Sequence, residues 1–263
     1  MIGNRSNEDS VQSVDTAFRI MDLIRENQGC SIDDLMSHLD VSKSTIYRYI
    51  TTLQSHGYVV KEDGNFHIGL RFMEMSRYAR MRKSMYTIAE GLVKSLAGQT
   101  GDRATFITEE NGLGVVISTE IGKHGIYADS QVGQRFYLHA TSVGKALLAN
   151  LSLEEVDEII DQHGLVELTN NTITDHSTLM EELDEIREQG FATNQAERIP
   201  GVNAVATTVD DKGGNVAGAF GISAPSRRLN TERVNDEIVE LLLEISEEFE
   251  LRNEYSEVPR SPR

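Results

Sequence analysis

Tryptophan is absent from the 263 residues, cysteine occurs once and proline four times, and no apolar run approaches the ~20 residues that a membrane-spanning helix needs. With Cys30 as the only thiol, the chain can close no internal disulfide, form no CxxC redox pair and build no cysteine-based zinc site. Cys30 reads instead as a small residue packed in or beside a turn. The opening stretch MIGNRSNEDSVQSVD lacks the apolar segment of a signal peptide, so a cytoplasmic protein with no membrane partner is expected. The seven histidines show neither HExxH nor any other paired ligand spacing, and no metal or other cofactor is expected. Basic residues are also few, 25 against 42 acidic ones. The deficit is confined to the second part: through Lys83 there are 11 of each sign, and from Ser84 onward 14 basic residues face 31 acidic ones. The surplus sits in stretches such as LEEVDEII and EISEEFE, which read as solvated helix exteriors. Surplus carboxylate with Arg favoured over Lys is also the composition of proteins from salt-loving organisms.

What is present begins with three helical patterns. Val14, Ala17, Phe18, Met21 and Ile24 form an apolar stripe closed by Asn27 and Gly29. Ser31 caps a short second helix with Ile32, Leu35, Met36 and Leu39 on its apolar face. A tight DVS turn follows, and Ser42 caps a third helix that ends at Gly57. Then YVVKEDGNFHI reads as a hairpin, strands Tyr58 to Glu62 and Asn65 to Ile68, because Asp63-Gly64 supplies the positive φ angles of a two-residue turn. Helix, helix, tight turn, helix and hairpin make a winged helix-turn-helix. Its third helix turns Ile46, Tyr49, Ile50 and Leu53 inward, which frees Ser42, Lys43, Ser44, Thr45, Tyr47, Arg48, Thr51 and Thr52 for a major groove. Lys61 and Asn65 on the wing complete the candidate DNA-binding set. Arg48, whose planar fork can hold a guanine edge, is the candidate base reader; Lys43 and the short hydroxyls suit phosphate oxygens.

The stretch LDVSKSTIYRYITTLQSHGYVVKEDGNFHIGLRFMEM resembles the N-terminal winged helix of IclR-type transcriptional regulators. The matching positions are Leu39, Lys43, Ser44, Thr45, Gly57, Tyr58, Gly69 and Arg71. The resemblance continues through LHATSVGKALLA and GVNAVATTVDDKGGNVAGAFGISAPSRRL, and so covers nearly the whole chain. It implies a double-stranded operator and a small-molecule effector as partners, and a homodimer or tetramer.

The second part reads as α+β without that help. RATFITEE and GVVISTEI flank Asn111-Gly112, and AVATTV and VAGAFGIS flank Gly213-Gly214, as antiparallel pairs. Ser152 with Glu155 makes a capping box; Leu179, Leu183 and Ile186 mark a helix ending at Gly190; Val234, Ile238, Leu241, Ile245 and Phe249 mark a long last one. The expected organisation is a flexible N-terminus at 1–10, a winged helix-turn-helix at 11–69, a helical linker at 70–83, a GAF-like antiparallel sheet with flanking helices at 84–252 and a flexible tail at 253–263.

Thr141 or Ser142 starts a helix whose free amides suit a carboxylate. The resemblance places the effector pocket at Ser142, Val143, Asn194, Ala204, Gly221 and Ser223. Relatives that bind small 2-oxoacids carry Asp, Cys and Ser where this chain has Asn194, Ala204 and Gly221. A smaller, less polar lining implies a bulkier ligand than glyoxylate or pyruvate, a sugar-derived metabolite or an aromatic acid. The resulting expectation is an effector-responsive regulator of a catabolic operon. Two other classes compete. ATSVG approaches a nucleophile elbow with Ser142 as nucleophile and His139 nearby, but Ala140 replaces the first glycine; SVGKA lacks the upstream glycine of a phosphate loop and has Ala146 where the metal-binding hydroxyl belongs. The third class is a winged helix that binds protein and never touches DNA.

Overall fold

The computed structural model describes residues 10–126 and 131–256. The chain divides into two compact units that meet in sequence at Arg80 and Met81. In the first, α1 (Gln12–Glu26), α2 (Ile32–His38) and α3 (Lys43–Ser55) precede a hairpin of β1 (Val59–Glu62) and β2 (Asn65–Ile68), then α4 (Arg71–Met81). Ser31 and Asp34 cap α2 reciprocally, and Ser42 Oγ accepts from the Thr45 amide to cap α3. Asp63 and Gly64 carry the positive φ values that the hairpin turn requires. Ile20, Ile24, Leu35, Ile46, Ile50, Val59 and Phe66 fill the core, with Cys30 buried beside Phe66.

One expectation holds only in part. Only part of the stripe on α1 is core: Ile24 is buried, together with Ile20 outside the stripe, and Met21 packs against the core, while Val14 and Phe18 are 48% and 55% exposed. At 3.6 residues per turn Val14 and Phe18 lie about a third of a turn from Ile20 and Ile24, with Ala17 and Met21 between, so the apolar surface of α1 is wider than the core face and its Val14–Phe18 edge is left out. Met36 likewise stays exposed. Gly57, Tyr58, Gly69 and Arg71, separate in sequence, form one joint. A Cβ on Gly69 would lie 2.2 Å from the Gly57 carbonyl oxygen, and the Arg71 guanidinium packs over the Tyr58 ring and donates to the His56 carbonyl, which closes α3.

The second unit begins with α5 (Met85–Thr100) and the antiparallel pair β3 (Arg103–Glu110) and β4 (Leu113–Ile121), joined at Asn111-Gly112. After β5 (Arg135–Tyr137) and a 3-10 turn come α6 (Ser142–Ala149), α7 (Leu153–His163), α8 (His176–Gln189) and β6 (Ala192–Gln195). The long strands β7 (Val202–Asp210) and β8 (Val216–Pro225) follow, then one turn, α9 (Thr231–Arg233), a π-helical stretch Val234–Ile238 and α10 (Val239–Glu254). The six strands form one antiparallel sheet in the order β5-β4-β3-β8-β7-β6. Phe106, Phe220 and Ile222 point to one face and pack with Leu92, Leu96 and Phe249 from α5 and α10. Ile107, Ala206 and Ala219 point to the other, against Val143, Leu147 and Leu183 from α6 and α8.

No helix among the described residues is long and apolar enough to cross a membrane. The expected flexible N-terminus lies outside the described residues but for Ser10, and 257–263 of the expected tail likewise. The last helix extends to Glu254 and buries Asn253, beyond the boundary expected at 252.

Candidate nucleic-acid interface and ligand pocket

The third helix turns its polar residues outward in two flanks, and Tyr49, expected in the core, is only half-buried. Ile46, Ile50 and Leu53 are buried, whereas Lys43, Ser44, Tyr47, Arg48, Thr51 and Thr52 are exposed and Thr45 is half-buried. Thr45, Arg48 and Thr52 also border an apolar groove formed with Val14, Phe18 and Met21 of α1 and Phe72 and Met75 of α4. Ser44, Tyr47 and Thr51 do not border it. Ser42 is within 2.9 Å of the Ser44 and 2.8 Å of the Thr45 hydroxyl, a cluster that closes the helix start. Lys43 reaches back to Asp33 of α2 at 2.9 Å, and that contact raises its pKa. With both side chains solvated, such a pair is cheap to open when a phosphate competes. On the wing, Asn65 is exposed and the Lys61 ammonium lies 5.5 Å from the centre of the Phe66 ring.

Ser142, Val143, Asn194, Ala204, Gly221 and Ser223 all border one cavity of about 70 Å³. The sheet register explains the convergence. Asn194, Ala204, Ser223 and Arg103 pair in a row across β6, β7, β8 and β3, and Gly221 pairs with Thr105 two residues on. The α6 face of the sheet therefore carries them together, with the start of α6 above. Thr141, not Ser142, is the cap: its hydroxyl accepts from the Gly144 amide at 3.0 Å. Lys145 N bonds back to Thr141 O, so the Ser142 and Val143 amides lack an acceptor within the helix.

Asn194, a pocket residue by the resemblance, is engaged with the walls: its amide donates to Ala140 O at 2.7 Å and its Oδ1 accepts from the Glu197 amide at 3.2 Å. It ties the walls together. One expectation changes, since the small residues do not leave extra room: a Cβ on Gly221 would lie 2.5 Å from Val143 Cγ1, so the Val143 side chain already occupies that space. A dry cavity that admits benzene is ~150 Å³; this lining does not enclose an aromatic ring. Sequence reasoning also missed Thr105, Phe136 and Arg198, which complete the walls. Arg198 packs its guanidinium over Phe136, 5.5 Å from the ring centre. No motif marks it, and only the β6–β7 connection brings it here.

Behind the pocket lies a buried ion cluster. Lys145, inaccessible to solvent, donates to Glu182 of α8 at 2.8 Å and to Glu197 at 3.0 Å. Glu197 Oε1 also accepts from the Gln195 amide, and the Glu197 carbonyl accepts from Thr169 and Thr172. Lys145 is likewise 3.0 Å from Glu197 Oε2, which accepts no hydrogen bond. This clamp holds Ala196 in a left-handed conformation, φ 59°, that a non-glycine residue seldom adopts. His139 Nε2 meets the Val166 carbonyl at 3.1 Å, with no hydrogen bond to Ser142, so no nucleophile-base pair forms.

A model of the IclR helix-turn-helix domain matches residues 13–63, and one described as the bacterial transcriptional regulator IclR C-terminal matches residues 79–250. The HTH-type transcriptional regulator BhcR of Paracoccus denitrificans is 31% identical over 93% of this chain and 90% of its own. The HTH-type transcriptional regulator XynR of Escherichia coli is 30% identical over 84% and 88%. The crystal structure of the Thermotoga maritima IclR superimposes with a TM-score of 0.77 at 27% identity, covering 93% of this chain and 99% of that one. The chain belongs to the IclR family of transcriptional regulators, with a DNA-binding helix-turn-helix and a C-terminal effector-binding domain. It is a regulator and not an enzyme.

Proposed function

We propose that this protein is a cytoplasmic, homo-oligomeric regulator of a catabolic operon that releases or engages a pseudo-palindromic operator when a small organic acid enters the cavity beneath α6. The observation that carries the reading is the convergence of Ser142, Val143, Ala204, Gly221 and Ser223 on that one cavity, under two helix amides without helical acceptors. Helix amides and the Ser223 hydroxyl suit a carboxylate better than a neutral ligand. At the other end, Ser44, Tyr47, Arg48 and Thr51 enter the major groove, and Ser42, Lys43, Thr45, Thr52, Lys61 and Asn65 position the backbone.

Two copies are inferred from the groove of about 680 Å³ on the first unit. Its α1 wall also projects Phe18, so a second copy can supply what the first one lacks, as a two-fold interface demands. A two-fold protein reads half-sites about one helical turn, ~34 Å, apart or a multiple of it.

An effector shifts operator affinity only by its preference between two conformations, typically ~1–3 kcal/mol. The test is anisotropy of an operator from the protein's own upstream region, titrated with candidate acids, for the parent and Ala204→Phe. The variant should keep DNA binding and lose the acid response. An undiminished response would place the pocket elsewhere, and no binding to that DNA would favour the protein-interaction module.

A further inference from the structure

The helix α4 buries none of its 11 residues, yet its first turn is tied at several points to the end of the recognition helix α3. Arg71 Nη1 donates to the His56 carbonyl at 2.6 Å, and the guanidinium lies 5.1 Å from the centre of the Tyr58 ring. Phe72 meets the same ring at 5.1 Å between centroids. The Gly69 amide donates to the Tyr58 carbonyl at 2.8 Å, and its Cα lies too close to Gly57 for any side chain. The carbonyl end of a helix carries partial negative charge and favours a cation. No basic residue stands in the last turn of α3, so α4 supplies that cation from outside the helix. The backbone leaves the first unit for the second at the far end of α4, at Arg80 and Met81. Phe72 and Met75 of the same first turn wall the groove proposed above to receive a second copy. The Arg71 contact therefore stands between the helix that reads DNA and the parts of the chain that lead to pairing and to the effector-binding unit.

We propose that Arg71 is a positioning residue for DNA reading: by bonding the carbonyl end of α3 to the start of α4, it fixes the angle of each recognition helix and with it the half-site spacing that paired copies accept. The inference rests on the proposed two-fold reading of an operator and deepens it. One extra base pair between half-sites turns one of them by ~35° and moves it by ~3.4 Å. A rigid joint does not absorb that displacement, whereas a joint free to pivot does.

For the experiment, an operator is selected from random duplex DNA with the full-length parent. Anisotropy then gives affinities for the selected spacing, for spacings one and two base pairs longer and shorter, and for a single half-site. A two-base-pair change should cost the parent roughly tenfold or more, because the second half-site is no longer engaged together with the first. Arg71→Ala should bind the single half-site within about twofold of the parent, and the same spacing change should cost it less than about threefold. Arg71 is exposed, so the substitution opens no core. Arg71→Lys, which keeps a cationic donor for His56 and loses the planar stack on Tyr58, should fall between. Because the spacing penalty is a ratio within one variant, a general loss of stability does not mimic it. A parent-like penalty in Arg71→Ala, or a half-site affinity that falls with the substitution, overturns the role of Arg71 and leaves the operator reading standing. A parent indifferent to spacing, or one that selects no DNA with two related half-sites, overturns the two-fold reading and this inference together.

Discussion

Lys145 is the side chain whose loss should be felt most. Its partners Glu182 and Glu197 are 28% and 8% exposed, so Lys145→Met would strand one carboxylate in a dry site and leave the other half-solvated. Removing one member of a buried pair costs about 3–5 kcal/mol. Urea unfolding of the second unit should show that loss, with partial recovery on adding Glu197→Gln; circular dichroism is the probe, since the chain has no tryptophan. His139 predicts a pH dependence. Burial, with a smaller contribution from the Lys145 charge, holds its imidazole below the ordinary 6.5 despite the Val166 contact. The unfolded chain therefore takes up more protons below about 6.5, and stability falls as pH drops through that range. His139→Gln should flatten the fall. On the DNA side, Arg48→Ala should cost roughly 1–3 kcal/mol at the cognate site and relax specificity, while Lys43→Ala should weaken all sequences alike and lower the salt slope. A parent-like Arg48→Ala footprint would assign base reading to its neighbours. Arg198 shows the limit of reading residues singly: it stands in no periodic pattern, and its place depends on a clamp assembled from three separate segments.

Among the elements, those with chemical punctuation were legible. Asp63-Gly64 and Asn111-Gly112 adopt the left-handed angles that their sequence requires, and the Ser31 and Ser152 capping boxes start helices where expected. Elements without punctuation were not. The α5 helix, which buries Met85, Leu92, Val93 and Leu96 under the sheet, was passed over, as were the three- and four-residue edge strands β5 and β6. Periodicity also does not set how wide a strip of an apolar surface the core takes, which is why Ile24 and Met21 of the α1 stripe meet the core while Val14 and Phe18 do not. For α6 the requirement is spatial: a Cβ on Gly144 would lie 2.1 Å from the Leu138 carbonyl oxygen. Gly144→Ala should therefore lift the start of α6 from the 3-10 turn, lowering the melting temperature and blunting any acid response while the DNA-binding unit stays folded. An unchanged melt would mean that the turn yields freely.

The whole molecule is acidic in one half only, a net charge of −17 arising entirely from Ser84 onward. Carboxylate repulsion is screened at ~3 Å in 1 M salt but reaches ~30 Å at 0.01 M. The melting temperature should climb with added KCl, mainly through the second unit, and a flat response would exclude repulsion as the limiting cost. Acid in that half also leaves the reading head electrically neutral, so a polyanion is not repelled by the part that must touch it. The exposed stripe of α1 has a quantitative consequence for the cell. If Val14 and Phe18 are covered only by a second copy, Phe18→Ser should move the sedimentation coefficient toward that of a monomer. A promoter under such a protein would respond to the square of the number of chains while monomers dominate, and would flatten to a linear response once nearly all are paired. A modest change in synthesis rate would then act on the operon as a threshold, before any metabolite is present.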